Sequence, residues 1–273
     1  MCYLGLEGVR VYEFDEDTVV EQVGPGVFAG RLTDRWNIGA VPNGGYVLAV
    51  VLAAVRQTLP APDPLTVTAH YLRPTAPGPV QVHVETIKIG RQYSTASARL
   101  LQNEEENARV LATYADLSAQ SSAPTHVFGA APELPPREAA TARSNPGFAP
   151  PTTAFARRVE IRPGRTIFDP LQPGEPPELS GWLRFADGRP PDVHALPVLV
   201  DAFPPVVFRV LPPGWVPTIE LTVQVRARPV SEWVRCRFRT RFIFGGLLEE
   251  DGEVWDENGT LLALSRQLAA VPR

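Results

Sequence analysis

One carboxylate stands where carboxylates are costly. Asp201 interrupts an apolar stretch, Ala195–Val200 before it and Ala202–Val207 after it. A carboxylate in such surroundings needs hydrogen-bond partners or gives up its charge. With a water in reach it can act as a general base. The plainer reading is an Asp at a helix end, satisfied by local N–H groups or by solvent. A second chemical element is Asn43-Gly44-Gly45, placed just before the apolar run that opens at Tyr46. The triplet reads as a helix start. The unpaired N–H groups of a helix start can hold developing negative charge, and the helix dipole adds to them. Glycine lets an oxygen approach the backbone closely. Asn43, Gly44, Gly45 and Tyr46 are therefore candidates for substrate binding.

Other chemistries find less support. The histidines, His70, His83, His126 and His194, have no partner at metal-ligand spacing, so no metal site is expected. No GxSxG elbow is present, which argues against a serine acyl-enzyme. Cys2 and Cys236 are too far apart in sequence to suggest a disulfide framework or a metal cluster. No cofactor motif is found. A net charge of −4 gives no reason to expect nucleic acid or an anionic membrane. The N-terminus lacks the pattern of a secretory signal, and the run Tyr46–Val55 is far too short to span a bilayer. The expected location is the cytoplasm.

The elements that must position these residues follow from periodicity. VRVYEF and GVFAGRL read as strands, and a helix apolar on every face follows Asn43-Gly44-Gly45 and ends at Pro60–Pro64. Strands are expected at 65–73, 80–89, 93–102 and 108–117. Residues 119–153 contain seven prolines and little apolar periodicity, which is linker composition. Strands resume at Phe155 and Ser180, and a second helix is expected over Ala195–Phe203. Four more strands follow at 218–228, 233–243, 247–256 and 260–270.

The chain is written twice. LTVTAHYLRP from Leu65 is answered by LTVQVRARP from Leu221, and Pro74 and Pro229 lie 155 positions apart, as do Gly90 and Gly245. Each half reads as strands, one apolar helix, then four strands. A long antiparallel sheet wrapped around a buried helix satisfies that pattern. The expected organisation is an N-terminal unit over 1–118, a proline-rich linker over 119–154 and a C-terminal unit over 155–273. The fold class is α+β, a tandem hotdog of two antiparallel sheets, each around one central helix, joined edge to edge.

The segments WNIGAVPNGGYVLAVVLAAV, TAHYLRPTAPGPVQVHVETIKIGRQYSTASARLLQ, LVDAFPP, PTIELTV and ALSRQLA, in this order, resemble the double-hotdog acyl-CoA thioesterases of the thioesterase II type. The resemblance spans the chain apart from the proline-rich linker. It implies hydrolysis of an acyl-CoA thioester without a covalent intermediate, with Asp201, Thr218 and Gln267 orienting a water. On residue pattern alone, Thr218 is a first strand residue and Gln267 an outward polar one. The family's Asp-His after Thr-Ile is replaced here by Glu220-Leu221. Arg73, Arg91 and Arg228 are candidates to meet CoA phosphates. Acyl-CoA is the expected partner, with self-association into a homo-oligomer left open. The alternatives are a non-catalytic acyl-thioester or lipid-binding hotdog protein, and a hotdog hydratase or dehydratase, which calls for an Asp–His pair.

Overall fold

A computed structural model describes residues 10–119, 124–142 and 153–272. Cys2 and the opening segment lie outside them. The first half holds α1 (Glu13–Asp17), β1 (Val20–Gly24), β2 (Val27–Leu32), the short pair β3 (Asn37–Ile38) and β4 (Val41–Pro42), α2 (Gly44–Thr58), β5 (Asp63–Tyr71), β6 (Gly78–Lys88), β7 (Ser94–Gln102) and β8 (Glu105–Ala115). After α3 (Arg137–Ala142) come β9 (Val159–Arg165), β10 (Glu178–Phe185), α4 (Leu196–Leu199), β11 (Thr218–Val225), β12 (Val234–Arg239), β13 (Ile243–Phe244), β14 (Leu247–Asp256) and β15 (Leu261–Ala270).

All strands but β3 and β4 join one antiparallel sheet in the order β1-β2-β6-β7-β8-β5-β11-β15-β14-β12-β10-β9, with β13 added on β14. Read outward from the β5–β11 contact, the two halves run in the same order. The two sheets, expected to join edge to edge into one continuous antiparallel sheet, are hydrogen-bonded into one. Val67 pairs with Val223 and Thr68 with Thr222, whose hydroxyls bond at 2.9 Å. This pairing covers two edges that would otherwise offer unpaired backbone groups to other chains.

The central helix follows from its sequence. Asn43 caps it by accepting the Tyr46 N–H at 3.0 Å. Val47–Val55 presents apolar side chains all round, and all but Ala53 are buried. Strands β1, β2, β5, β6, β7 and β8 and helix α4 surround it.

Two elements differ from expectation. VRVYEF was expected as a strand, but Glu13–Asp17 is helical. Phe14 and Asp17, one turn apart, both point inward, Phe14 against Trp36 and Phe185 and Asp17 onto the Trp36 indole N–H at 2.7 Å. The second helix is one turn, Leu196–Leu199, not Ala195–Phe203. Pro197 removes a donor near its start, and Asp201 N already bonds back only three residues, to Val198 O, at 3.2 Å. The proline-rich segment is also more than a spacer. Trp182 donates to Pro135 O at 3.0 Å, Arg237 donates to Ala130 O at 2.8 Å, and Ala140 is buried. Residues 130–140 of the segment therefore pack on the second half.

Candidate active site

The start of α2 and the end of α4 meet. Gly45 carries no side chain because there is no room for one. A Cβ there would lie 2.8 Å from the Pro197 carbonyl carbon and 2.9 Å from Val198 Cα. This close approach brings Asp201, just past α4, onto the helix start. Its Oδ2 accepts the Gly45 N–H at 2.8 Å and the Asn43 side-chain N–H at 2.8 Å. Asn43 also donates to Asp201 O at 2.9 Å. The Gly44 N–H adds to the set. All of these donors are neutral. Burial therefore dominates, and the Asp201 carboxyl is pushed up to about 6, with the Gly45, Asn43 and Gly44 bonds opposing the rise. Part of its surface remains open.

Next to Asp201 stands Tyr71, at the inner end of β5. Its hydroxyl donates to Gly44 O at 2.8 Å. A Cβ added at Gly44 would sit 3.2 Å from Asp201 Oδ2 and 3.2 Å from the Tyr71 hydroxyl. Burial and then the nearby Asp201 and Glu220 charges raise the Tyr71 hydroxyl well above its ordinary range. It stays protonated at neutral pH and donates.

Thr218 and Gln267 lie on the inner face of the same sheet. Gln267 is opposite Leu221, and Thr218 is opposite the buried Ala269. A bulge between Thr218 and Glu220 turns Thr218 inward. Gln267 Nε2 donates to Thr218 Oγ1 at 2.9 Å. The Thr218 hydroxyl proton and the second Gln267 N–H thus remain free to point elsewhere. Gln267 is not the outward polar residue that residue pattern alone suggests. Glu250, opposite Gln267 on β14, lies within electrostatic reach of Asp201.

Of the predicted site residues, then, Asn43, Gly44, Gly45 and Asp201 form one cluster, and Thr218 and Gln267 form another. Tyr46 belongs to neither. Its ring is fully buried and stacked on Trp36 at 5.4 Å, and its hydroxyl donates to Asp17 O at 3.0 Å. Only its backbone N–H serves the helix cap. The first-turn N–H groups are also occupied, by Asp201 and by Asn43. Arg228 is engaged in two bonds to Asp63, and Arg73 faces Glu105 at 3.6 Å. Both are spoken for by acids of this chain. Two concavities, of about 220 and 460 Å³, are lined by other residues, the larger by Arg56, Arg189 and His194 among them. Sequence reasoning missed Tyr71 and Glu250. Strand alternation with the buried Val67 and Ala69 could have found Tyr71, and alternation with Leu248 and Val254 could have found Glu250.

The histidines do not pair with Asp201. His70 is exposed, His83 is half-buried beside Gln81, and His194 packs beside Tyr114, where burial pushes it down to about 4. Among the described residues no group of three His, Cys, Asp or Glu side chains could hold a metal, and no helix is long and apolar enough to cross a membrane.

Comparison with known proteins places this architecture. The fold is that of hotdog proteins. A protein with a hot dog fold from Alicyclobacillus acidocaldarius superposes with a TM-score of 0.85 at 23% identity, covering 97% of this chain and 99% of its own. A candidate thioesterase II from Thermobifida fusca YX gives 0.86 at 27% identity, with 97% and 99% covered. The profile of the acyl-CoA thioesterase N-terminal domain matches residues 32–115, and that of the C-terminal domain matches 130–271. The chain belongs to the acyl-CoA thioesterase family. It is also 28% identical over 318 aligned positions to the thioesterase-like protein TwmA of Talaromyces wortmannii, covering 94% of this chain and 91% of that one.

Proposed function

We propose that this protein hydrolyses acyl-CoA thioesters to free acid and CoA through a water activated by Asp201, in a tandem hotdog of units 1–118 and 155–273 joined by 119–154. The observation that carries the reading is a part-open carboxylate, held by neutral donors only, within electrostatic reach of Glu250, whose strand partner Gln267 bonds Thr218 with donors to spare. Its carboxyl, near 6, is ionised at neutral pH yet basic enough to take a proton.

The reaction balances on these groups. The water oxygen bonds to the thioester carbonyl carbon while its proton passes to Asp201 Oδ1, the oxygen that takes neither 2.8 Å bond. The Thr218 hydroxyl and the free Gln267 N–H hold the water. The acyl carbonyl sits beside the start of α2, whose dipole favours the oxyanion. Collapse of the tetrahedral intermediate breaks the C–S bond. The sulfur leaves as thiolate and takes up the proton Asp201 held. The Asn43–Gly45 segment serves to seat Asp201 and to border the acyl group.

A panel of acyl-CoAs of graded chain length, with free thiol and free acid both measured, tests this. Equimolar thiol and acid from at least one chain length is expected. Tight binding of acyl-CoA with no thiol above background at any length would instead establish a binding protein.

A further inference from the structure

Glu250 is an inner-face carboxyl that the reaction above does not use. It sits directly opposite Gln267, and its Oε2 accepts the Val206 N–H at 2.7 Å, in the segment that follows Asp201. Directly opposed side chains of an antiparallel pair stand with Cβ atoms about 4.5–5.5 Å apart. Glu250 and Gln267 therefore stand side by side on the inner face, although no hydrogen bond joins their side chains in this structure. Gln267 commits Nε2 to Thr218, so it turns Oε1 away from that residue. A protonated carboxyl can donate to that oxygen, whereas a carboxylate would repel it. The surroundings keep the proton on. Burial first, then the charges of Asp201 and Glu249, push Glu250 up to about 8, against the pull of the Val206 N–H. Among the described residues no cation on the neighbouring elements bonds it. Arg241 and Arg266 bond Asp251 on the same strand, and Arg209 bonds the carbonyls of Asp169 and Glu178. Arg241 lies 3.8 Å from Glu249, and Glu220 on β11 accepts the Thr222 hydroxyl.

We propose that Glu250 is a positioning residue of the hydrolytic site, whose carboxyl group holds the Gln267 amide toward Thr218 and stands as a second acid beside Asp201. The inference rests on the hydrolytic reading. Gln at this position keeps a donor and loses the titration; Ala loses both. For Glu250→Ala, kcat at pH 7 should fall about tenfold with KM little changed, the scale of misplacing one water-holding group. Glu250→Gln should stay within about threefold of the parent protein at pH 7. The parent protein should lose activity above about pH 8, and Glu250→Gln should not. Parent-like kcat and pH profile in both variants would overturn the proposal. If Glu250→Ala does not fold, the alkaline limb of Glu250→Gln decides. Carboxyl ¹³C titration needs no turnover. One resonance titrating near 8 should vanish in Glu250→Gln, and the Asp201 resonance should move down by about half a pH unit as a neighbouring negative charge is removed. No change in either would overturn the proposal. Absence of thiol release by the parent protein, with these titrations as expected, would count against the hydrolytic reading and not against the pairing of the two acids.

Discussion

The two ends of the β5–β11 pair are built from matching positions and hold different chemistry. Asp63 opens β5 and Thr218 opens β11, 155 positions later. At the Asp63 end a buried carboxylate accepts two bonds from Arg228, at 2.8 and 3.0 Å, and one from the Leu117 N–H at 2.9 Å. That end is an ion pair clamping the two halves together. At the Thr218 end the carboxylate comes from another element, Asp201, and meets neutral donors only. A cation would fix the charge of Asp201 and weaken it as a base. Its absence leaves a proton acceptor that titrates near 6. On the proposed mechanism, one of the two equivalent ends of the duplicated fold serves cohesion and the other chemistry.

Exchanging the charge at each end should separate these roles. Asp201→Asn should cut thiol release by about 10²–10⁴ with the fold retained, the scale of losing a general base. Asp63→Asn should leave turnover near that of the parent protein and lower the melting temperature, because Arg228 then loses its partner. Equal effects on turnover would break the distinction. Next in size, Thr218→Val or Gln267→Ala should lower kcat by about 10–100-fold, and the double variant should cost little more than either single one if the pair acts as a unit. Full additivity would mean that the 2.9 Å bond between them has no role in turnover.

The pH profile is a gentler probe. Below about pH 6, kcat should fall as Asp201 takes up a proton, about tenfold per pH unit. Stability should run the other way. Asp201 and Glu250 both bind protons more tightly folded than unfolded, so their contribution is fully present below their unfolded values near 4 and is lost as pH rises through about 6 and 8. Thermal denaturation of Glu250→Gln should show a smaller decline in melting temperature between pH 6 and 9 than the parent protein.

Most of the strands, the capped apolar helix and the duplication were legible because period-two alternation, Asn-Gly-Gly and the matched prolines are local signals. Asp201 was legible because it breaks an apolar run. The one-turn length of α4 was not, since it is set by contact with Gly45 and by the need of Asp201 to reach Asn43, which are long-range facts. Tyr46 misled for the same reason. A tyrosine beside a helix start looks like a wall of a binding site, but its ring turns back onto Trp36. Thr218 and Gln267 were named through family resemblance, and their inward placement depends on a bulge and a register that sequence does not print. Glu250 was hidden in an acidic run, although its alternation with Leu248 and Val254 carried the signal.

The proposed mechanism has Asp201 act on a water and not on the substrate itself. A single turnover in ¹⁸O-water, with enzyme in excess over acyl-CoA, tests it directly. Direct attack by water predicts one ¹⁸O in the acid released in that first turnover and an unlabelled Asp201 side chain. First-turnover acid free of ¹⁸O, with the label carried on the Asp201 carboxyl, would show that Asp201 had bonded to the acyl carbon and would contradict the account.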